Sequence, residues 1–371
     1  MAKKFIIVAA VLIIAGIAVY EGVSMFGKNK ISGKLMDAVL VPGTSGSPLL
    51  LVLTDGSLEY ISKSRRPGKT VTGRKGLFCK TYLYLYDPVS RKILKTVKTK
   101  YDSIPPDSVL VPIRDKIWEV SVDVSYDRPH LRVLDKASGE VIMTWSQFSS
   151  KYPELSAGVT SAIAINQWPP YLEIRTKQGK TFYYSLEAEK LFSDKKSFLA
   201  SLDRLRKEIV LFKLADPSGG KRRRLFKILG FPSKLCHTSM PESYFSKPEL
   251  IKRFYGATAE PIAQNQVFLD GWIAYQDSDV AVIVHQDQLG DDSPRRITCI
   301  SSDGKTMWTI PQDQLLPGLM RRSKDAFSTT EIMKDRLRVK RAGNVLLFVL
   351  ARKGMMAVNM DQGKVLWMLR P

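Results

Sequence analysis

Short apolar runs alternate with turn residues along most of the chain. Tyr82-Leu83-Tyr84-Leu85-Tyr86 alternates in character, Asp87-Pro88 turns the backbone, and Ile93-Leu94 and Val97 resume the run. Leu51-Val52-Leu53, Thr54-Asp55-Gly56 and Leu58-Glu59-Tyr60-Ile61 follow the same form, with Asp-Gly as a hairpin signal. A period of two bounded by Asp, Pro and Gly predicts strands joined by tight turns.

One frame recurs within this pattern. Its sharpest copy is Ala357-x-Asn359-x-x-x-Gly363-x-x-x-Trp367. It returns at Val133, Asp135, Gly139 and Met143, with Trp145 two further on, and more loosely at Leu85, Asp87, Arg91 and Lys95. Two copies are one turn residue shorter: Ile174, Thr176, Gly179, Tyr183, and Cys299, Ser301, Gly304, Trp308. An Asx or hydroxyl side chain at a strand end can bond its own turn backbone. Glycine then takes positive φ without steric cost, and a Trp on the returning strand offers a flat surface to a neighbouring sheet.

Turn positions 91, 139 and 179 lie 48 and 40 residues apart, and about 40–50 residues per four-stranded unit is propeller-blade spacing. The longer interval from 179 to 304 leaves room for further units and an insertion. The predicted fold class is all-β: a β-propeller of about six to eight four-stranded blades with an N-terminal transmembrane helix and a partly helical insertion. A β-sandwich or meander is the competing reading, because evenly spaced strands alone do not separate the two.

The string at 357–367 resembles the tryptophan-docking motif of quinoprotein-like (PQQ-repeat) β-propellers. That superfamily includes quinone-dependent alcohol dehydrogenases and propeller lipoproteins of outer-membrane assembly. The resemblance implies blades held together through Asp87, Asp135, Gly139, Gly179, Gly304, Trp308, Asn359, Gly363 and Trp367. It sits closest to the non-catalytic envelope propellers, although no Cys near residue 20 is present for lipidation. Such structural glue does not carry an activity with it. An alcohol-dehydrogenase-type member would hold a quinone beside a metal and carboxylates, with an adjacent Cys-Cys pair. That pair is absent from this chain, no metal carboxylate can be matched, and no cofactor is expected. A quinone-dependent oxidoreductase is the alternative reading.

The β rhythm breaks at 186–207, where Leu191, Phe198, Leu199, Leu202 and Leu205 follow helical spacing. A second helix is predicted at 247–255, capped by Ser246 in a Ser-x-x-Glu box with Glu249, carrying Pro248 in its first turn and stopped by Gly256. Together with the Pro- and Gly-containing stretch 215–264, these define an insertion at 186–264 within a propeller domain spanning 31–371.

Residues 1–30 form a separate unit. Lys3-Lys4 precede an apolar run carrying Phe5, Ile6, Ile7, Val8, Leu12, Ile13, Ile14, Ile17 and Tyr20, interrupted at Glu21 and resumed through Phe26. With Glu21 at the interface the segment reaches bilayer length, and the basic start favours an exported body. The expectation is a single-pass membrane anchor with the propeller on the periplasmic side. Cleavage after Gly16-Ile17-Ala18 as a signal peptide, and a cytoplasmic body, are the alternatives.

Charge changes the picture of partners. Lys and Arg number 57 against 36 Asp and Glu, a net charge of +21, which favours an anionic partner such as a phospholipid surface, a cell-wall polymer or nucleic acid. The expected partners are the membrane, through the anchor, and a protein or anionic envelope component. The densest cluster is Lys221-Arg222-Arg223-Arg224, followed by an apolar run. It reads either as an anionic-surface contact near the anchor or as a basic loop entering a buried strand. Nucleic acid is disfavoured, since no binding module is present. Cys79, Cys236 and Cys299, and His130, His237 and His285, are too scattered to read as a metal site. Asp277/Asp279 and Asp291-Asp292 lack an EF-hand pattern, and no Gly-x-Ser-x-Gly elbow occurs. Trp168 and Trp272 leave a glycan-binding reading open, with core packing as the simpler role.

Overall fold

The computed structural model describes residues 30–43, 47–64, 72–101, 108–121, 130–165, 170–205, 209–230, 240–290, 293–315 and 337–370. The expected anchor, and with it Cys236, His237, Trp168 and Asp291-Asp292, lies outside them. No helix among the described residues is long and apolar enough to cross a membrane.

The body is all-β, built from antiparallel strands in five sheets. The first holds β1 (Lys34–Val41), β2 (Leu49–Asp55), β3 (Leu58–Ser64), β4 (Thr72–Asp87) and β5 (Lys92–Tyr101). The second is β6 (Ser108–Ile113), β7 (Lys116–Ser121), β8 (Leu131–Asp135) and β9 (Val141–Thr144). The third is β10 (Val159–Ile165), β11 (Tyr171–Thr176), β12 (Thr181–Ser185) and β13 (Lys190–Phe192). A fourth, seven-stranded sheet joins β14 (Ile209–Ala215), β15 (Arg222–Gly230) and β16 (Thr258–Ile262) to β17 (Phe268–Gln276), β18 (Val280–Gln286), β19 (Arg295–Ser301) and β20 (Thr306–Pro311). The fifth is β21 (Leu337–Ala342), β22 (Val345–Leu350), β23 (Gly354–Asn359) and β24 (Val365–Leu369).

Interior strands such as β18 (VAVIVHQ) and β22 (VLLFVL) are apolar on both faces because both are covered. The outer strand β5 alternates and carries four lysines, which blunt its edge against further pairing. Core clusters lie between sheets. Leu172 and Ile174 of the third pack on Trp118 and Val133 of the second. Ile117 and Leu134 of the second pack on Leu51 and Leu83 of the first. Val52 and Tyr84 of the first meet Leu347 and Met355 of the fifth, and Phe348 and Met356 of the fifth meet Val282 and Cys299 of the fourth. Phe212, Leu214 and Leu225 then cover Ala281 and Ile283 within the fourth. The sheets therefore stack third, second, first, fifth, fourth, so the two ends of the described chain meet.

The faces at the limits of this series are covered by helices. Phe198 and Leu202 of the helix Lys195–Leu205 bury against Tyr171 and Tyr183 of the third sheet. Phe245 and Ile251, from the turn Glu242–Ser246 and the helix Pro248–Tyr255, bury against Phe226 and Ile228 of β15.

Three local expectations change. Asp55-Gly56 does not join a β2–β3 hairpin: both strands pair with the 16-residue β4, β2 with Thr81–Tyr86 and β3 with Thr72–Phe78. Gly56 N instead donates to Lys80 O at 2.9 Å. The helical pattern from 186 begins only at Lys195, since Lys190–Phe192 complete a hairpin with β12. Ser246 does not cap the next helix; its hydroxyl bonds Ser243 O and closes the preceding turn, leaving Lys247 at the cap position without a side-chain bond. Pro248 and Gly256 hold their expected places, Gly256 in the left-handed region at φ 57°. Within 215–264, β15 and β16 belong to the fourth sheet.

Candidate functional site

The recurrent frame places its turn between the last two strands of a sheet in four of five copies. Asp87 Oδ1 accepts from Val89 N and Ser90 N, Asp135 Oδ1 from Ala137 N and Ser138 N, and Asn359 Oδ1 from Asp361 N and Gln362 N. The left-handed position falls at Arg91, Gly139, Gly304 and Gly363, with φ between 57° and 87°. The Gly179 copy is a genuine tight turn but joins β11 to β12, one hairpin earlier. Its structural counterpart joins β12 to β13, where Ala188 N donates to Ser185 Oγ and Glu189 takes φ 51°. With neither Asx nor Gly there, spacing pointed to the neighbouring hairpin.

Trp308 links two sheets. Its Nε1 donates to Met360 O, 2.6 Å away in the next sheet's turn. A Cβ at Gly363 would stand 2.7 Å from Trp308 Cγ, so glycine there admits the indole as well as the positive φ. Trp367 is half-buried in the cluster between the fifth and first sheets. In the first sheet Lys95 holds the Trp position and pairs with Glu140 of the second at 2.8 Å.

Three ionic clusters escaped the sequence reading or changed meaning. Asp37 is fully buried at a bulge in β1. Its Oδ1 accepts from Ala38 N, and its Oδ2 from Leu110 N at 2.7 Å and Lys340 Nζ at 2.5 Å. Lys340 also donates to Ala38 O and Leu110 O, so all three ammonium protons are used. Burial pushes the Lys340 ammonium down to about 8, with Asp37 opposing the fall. A charged residue inside KLMDAVLV was the available signal. The second cluster is Glu119, which accepts from Arg132 and lies 2.8 Å from His130 Nε2. Burial by itself would raise this carboxyl, but the Arg132 charge and the His130 contact outweigh it and hold it at about 2. In the third, Asp277 and Asp279 grip Arg341 Nη1 at 2.7 and 2.9 Å. All three are ion pairs between or beside sheets. No group of three His, Cys, Asp or Glu among the described residues could hold a metal ion.

The same contacts orient the strands. Arg338 donates to Met36 O and Lys340 to Ala38 O and Leu110 O, while Arg338 also reaches Ser108 O at 3.5 Å. Hence β21, β1 and β6 run in one direction. Arg341 beside Asp277 sets the ends of β21 and β17 together, and Lys116 paired with Glu189 aligns the second and third sheets. The assembly thus has a leading end, where these strands start, and a trailing end carrying the motif turns.

Of the predicted basic cluster, Lys221, Arg222 and Arg224 are exposed, whereas Arg223 is part-buried, donates to Gly271 O at 2.8 Å and pairs with Glu242. Arg222 pairs with Leu269, and Asp270 N donates to Lys221 O, which seats the cluster beside the first residues of β17 at the leading end.

No family model matches the chain, and no curated protein matches it. Among solved structures, the crystal structure of the computationally designed Ika8 protein covers 91% of this chain and 87% of its own at 8% identity and a TM-score of 0.25. A likeness of that degree carries no argument about this protein.

Proposed function

We propose that the chain is a membrane-tethered, non-catalytic β-propeller of the quinoprotein-like kind, acting as a protein-binding or scaffold module in the cell envelope. The observation that carries the reading is Trp308 seated on the Asn359–Gly363 turn of the next sheet. A blade-to-blade dock of this kind is what the motif at 357–367 implies. The serial face-to-face stacking supports it further. Counting β14–β16 and β17–β20 as separate blades gives six units, with the chain's ends brought together at the junction of the first and last. The non-catalytic part is supported by the ionic clusters, whose donors are committed to structural partners. The apolar run Phe5–Tyr20 is the proposed tether, and Lys3-Lys4 ahead of it support an exported, periplasmic body.

Two measurements test this. Protease protection in intact spheroplasts, with detection of the uncut N-terminus, should show an uncleaved anchor and an external body. Purified full-length chain mixed with quinone, calcium and an acceptor dye should give no dye reduction. Steady turnover in the second assay would replace the scaffold reading with the oxidoreductase one.

A further inference from the structure

The two ends of the strand assembly differ in charge. At the trailing end bases and acids are mixed: Lys95 pairs with Glu140, Lys116 with Glu189, and Arg341 with Asp277 and Asp279, while the exposed Arg91, Lys92, Arg114, Lys305 and Lys364 share their turns with Asp87, Asp115, Asp303 and Asp361. At the leading end Asp270, Asp287 and Glu242 are taken up by Arg295, Arg296 and Arg223, while Asp216 and Asp55 accept from turn N–H groups of Ser218, Arg222 and Ser57. There Lys34, Lys100, Lys177, Lys180, Lys221, Arg222 and Lys353 are exposed, with no carboxylate partner among the described residues.

These seven come from distant parts of the chain. Lys34 opens β1, and Lys100 closes β5 opposite Lys80. Lys177 lies in the β11–β12 turn, where its N–H bonds Gly158 O just before β10. Lys353 follows Arg352, whose N–H bonds Leu35 O at 2.7 Å. Lys221 and Arg222 flank the start of β17. The ribbon of β3 and the first half of β4 continues from this end beyond Asp55.

The N-terminal segment enters here too. Only seven residues separate Phe26 from Lys34, a reach of at most about 27 Å. We infer that the leading end is the membrane-facing surface and that its lysines and arginines engage anionic phospholipid headgroups of the bilayer holding the anchor. This rests on the proposed tether. Basic residues within a Debye length of an anionic leaflet are attracted to it, and salt weakens that attraction.

The test uses full-length chain reconstituted into vesicles of phosphatidylcholine alone or mixed with phosphatidylglycerol. A fluorescent amino acid is placed at Gln178, at the leading end, or at Gln362, at the trailing end, with an acceptor on the lipid headgroups. Flotation with both vesicle types reports the tether. In floating samples with phosphatidylglycerol, energy transfer from position 178 should exceed that from 362. The excess should shrink in phosphatidylcholine, in high salt, and in the Lys177→Gln/Lys180→Gln/Lys353→Gln variant. Equal transfer from both positions, or transfer from 178 indifferent to lipid charge, overturns the inference while leaving the tether standing. Failure to float removes the tether and the inference together.

Discussion

Trp308 joins two sheets through one indole, and its two contributions separate by mutation. Trp308→Ala should cost about 3–5 kcal/mol through the cavity left behind. Trp308→Phe keeps a ring but leaves Met360 O without its donor, a loss of about 1 kcal/mol from the hydrogen bond. Urea unfolding midpoints distinguish the two, and equal losses would mean that the ring contributes nothing by packing. Asp37→Ala strands the Lys340 ammonium in a closed site and should cost about 3–5 kcal/mol. Asp37→Leu with Lys340→Met should recover most of that, since it removes both desolvation penalties; a double variant as weak as the single one refutes the pairing. Glu119 adds a pH dependence. Its folded value of about 2 lies below the ordinary 4.5, so the unfolded state binds more protons between the two. The stabilisation is complete above pH 4.5 and is lost as pH falls toward 2, amounting to about 3 kcal/mol. Acid unfolding of Glu119→Gln should lack this component; an unchanged acid limb counts against it. These buried charges were poorly legible in sequence: Asp37 and Lys340 are 303 positions apart, and Glu119 meets His130 and Arg132, 11 and 13 positions on, only because β7 and β8 pair.

Among the elements, turns were more legible than pairings. Asx and glycine chemistry is local, so the turns at Asp87, Asp135 and Asn359 form where spacing placed them. The β2–β3 connection was misread because Asp-Gly specifies a bend, while β4 decides which strand lies beside it. The same limit moved the third-sheet copy by one hairpin, since Ser185 and Glu189 adopt the motif's backbone without its residues. Helix Lys195–Leu205 has a definite task, as Phe198 is fully buried against Tyr171 and Tyr183. Phe198→Ala should uncover that face of the third sheet and lower stability by about 3–5 kcal/mol. Limited proteolysis should then cut first between residues 186 and 209. Cleavage unchanged from the parent chain would show that the helix is dispensable to the sheet.

At the scale of the whole molecule, the first and last sheets meet without sharing a strand. That junction rests on the contacts of Leu347 and Met355 with Val52 and Tyr84, and on the Asp37–Lys340 pair. Asp37→Ala should therefore loosen this junction first, seen as faster hydrogen exchange in β1 and β21 than in β18; uniform acceleration would argue for global unfolding instead. Charge is likewise a property of the assembled body, because the exposed basic residues of the leading end are scattered in sequence and gathered only by strand direction. By itself the sequence determined the all-β class, the positions of most turns, the two helices and the basic balance, each of which follows from residues within a few positions of one another. Tertiary structure alone decided the order of the sheets, the partners of the buried charges and the end to which the basic residues belong. Those depend on which distant surfaces exclude water together, and hydrophobic attraction has no direction that a linear pattern could record.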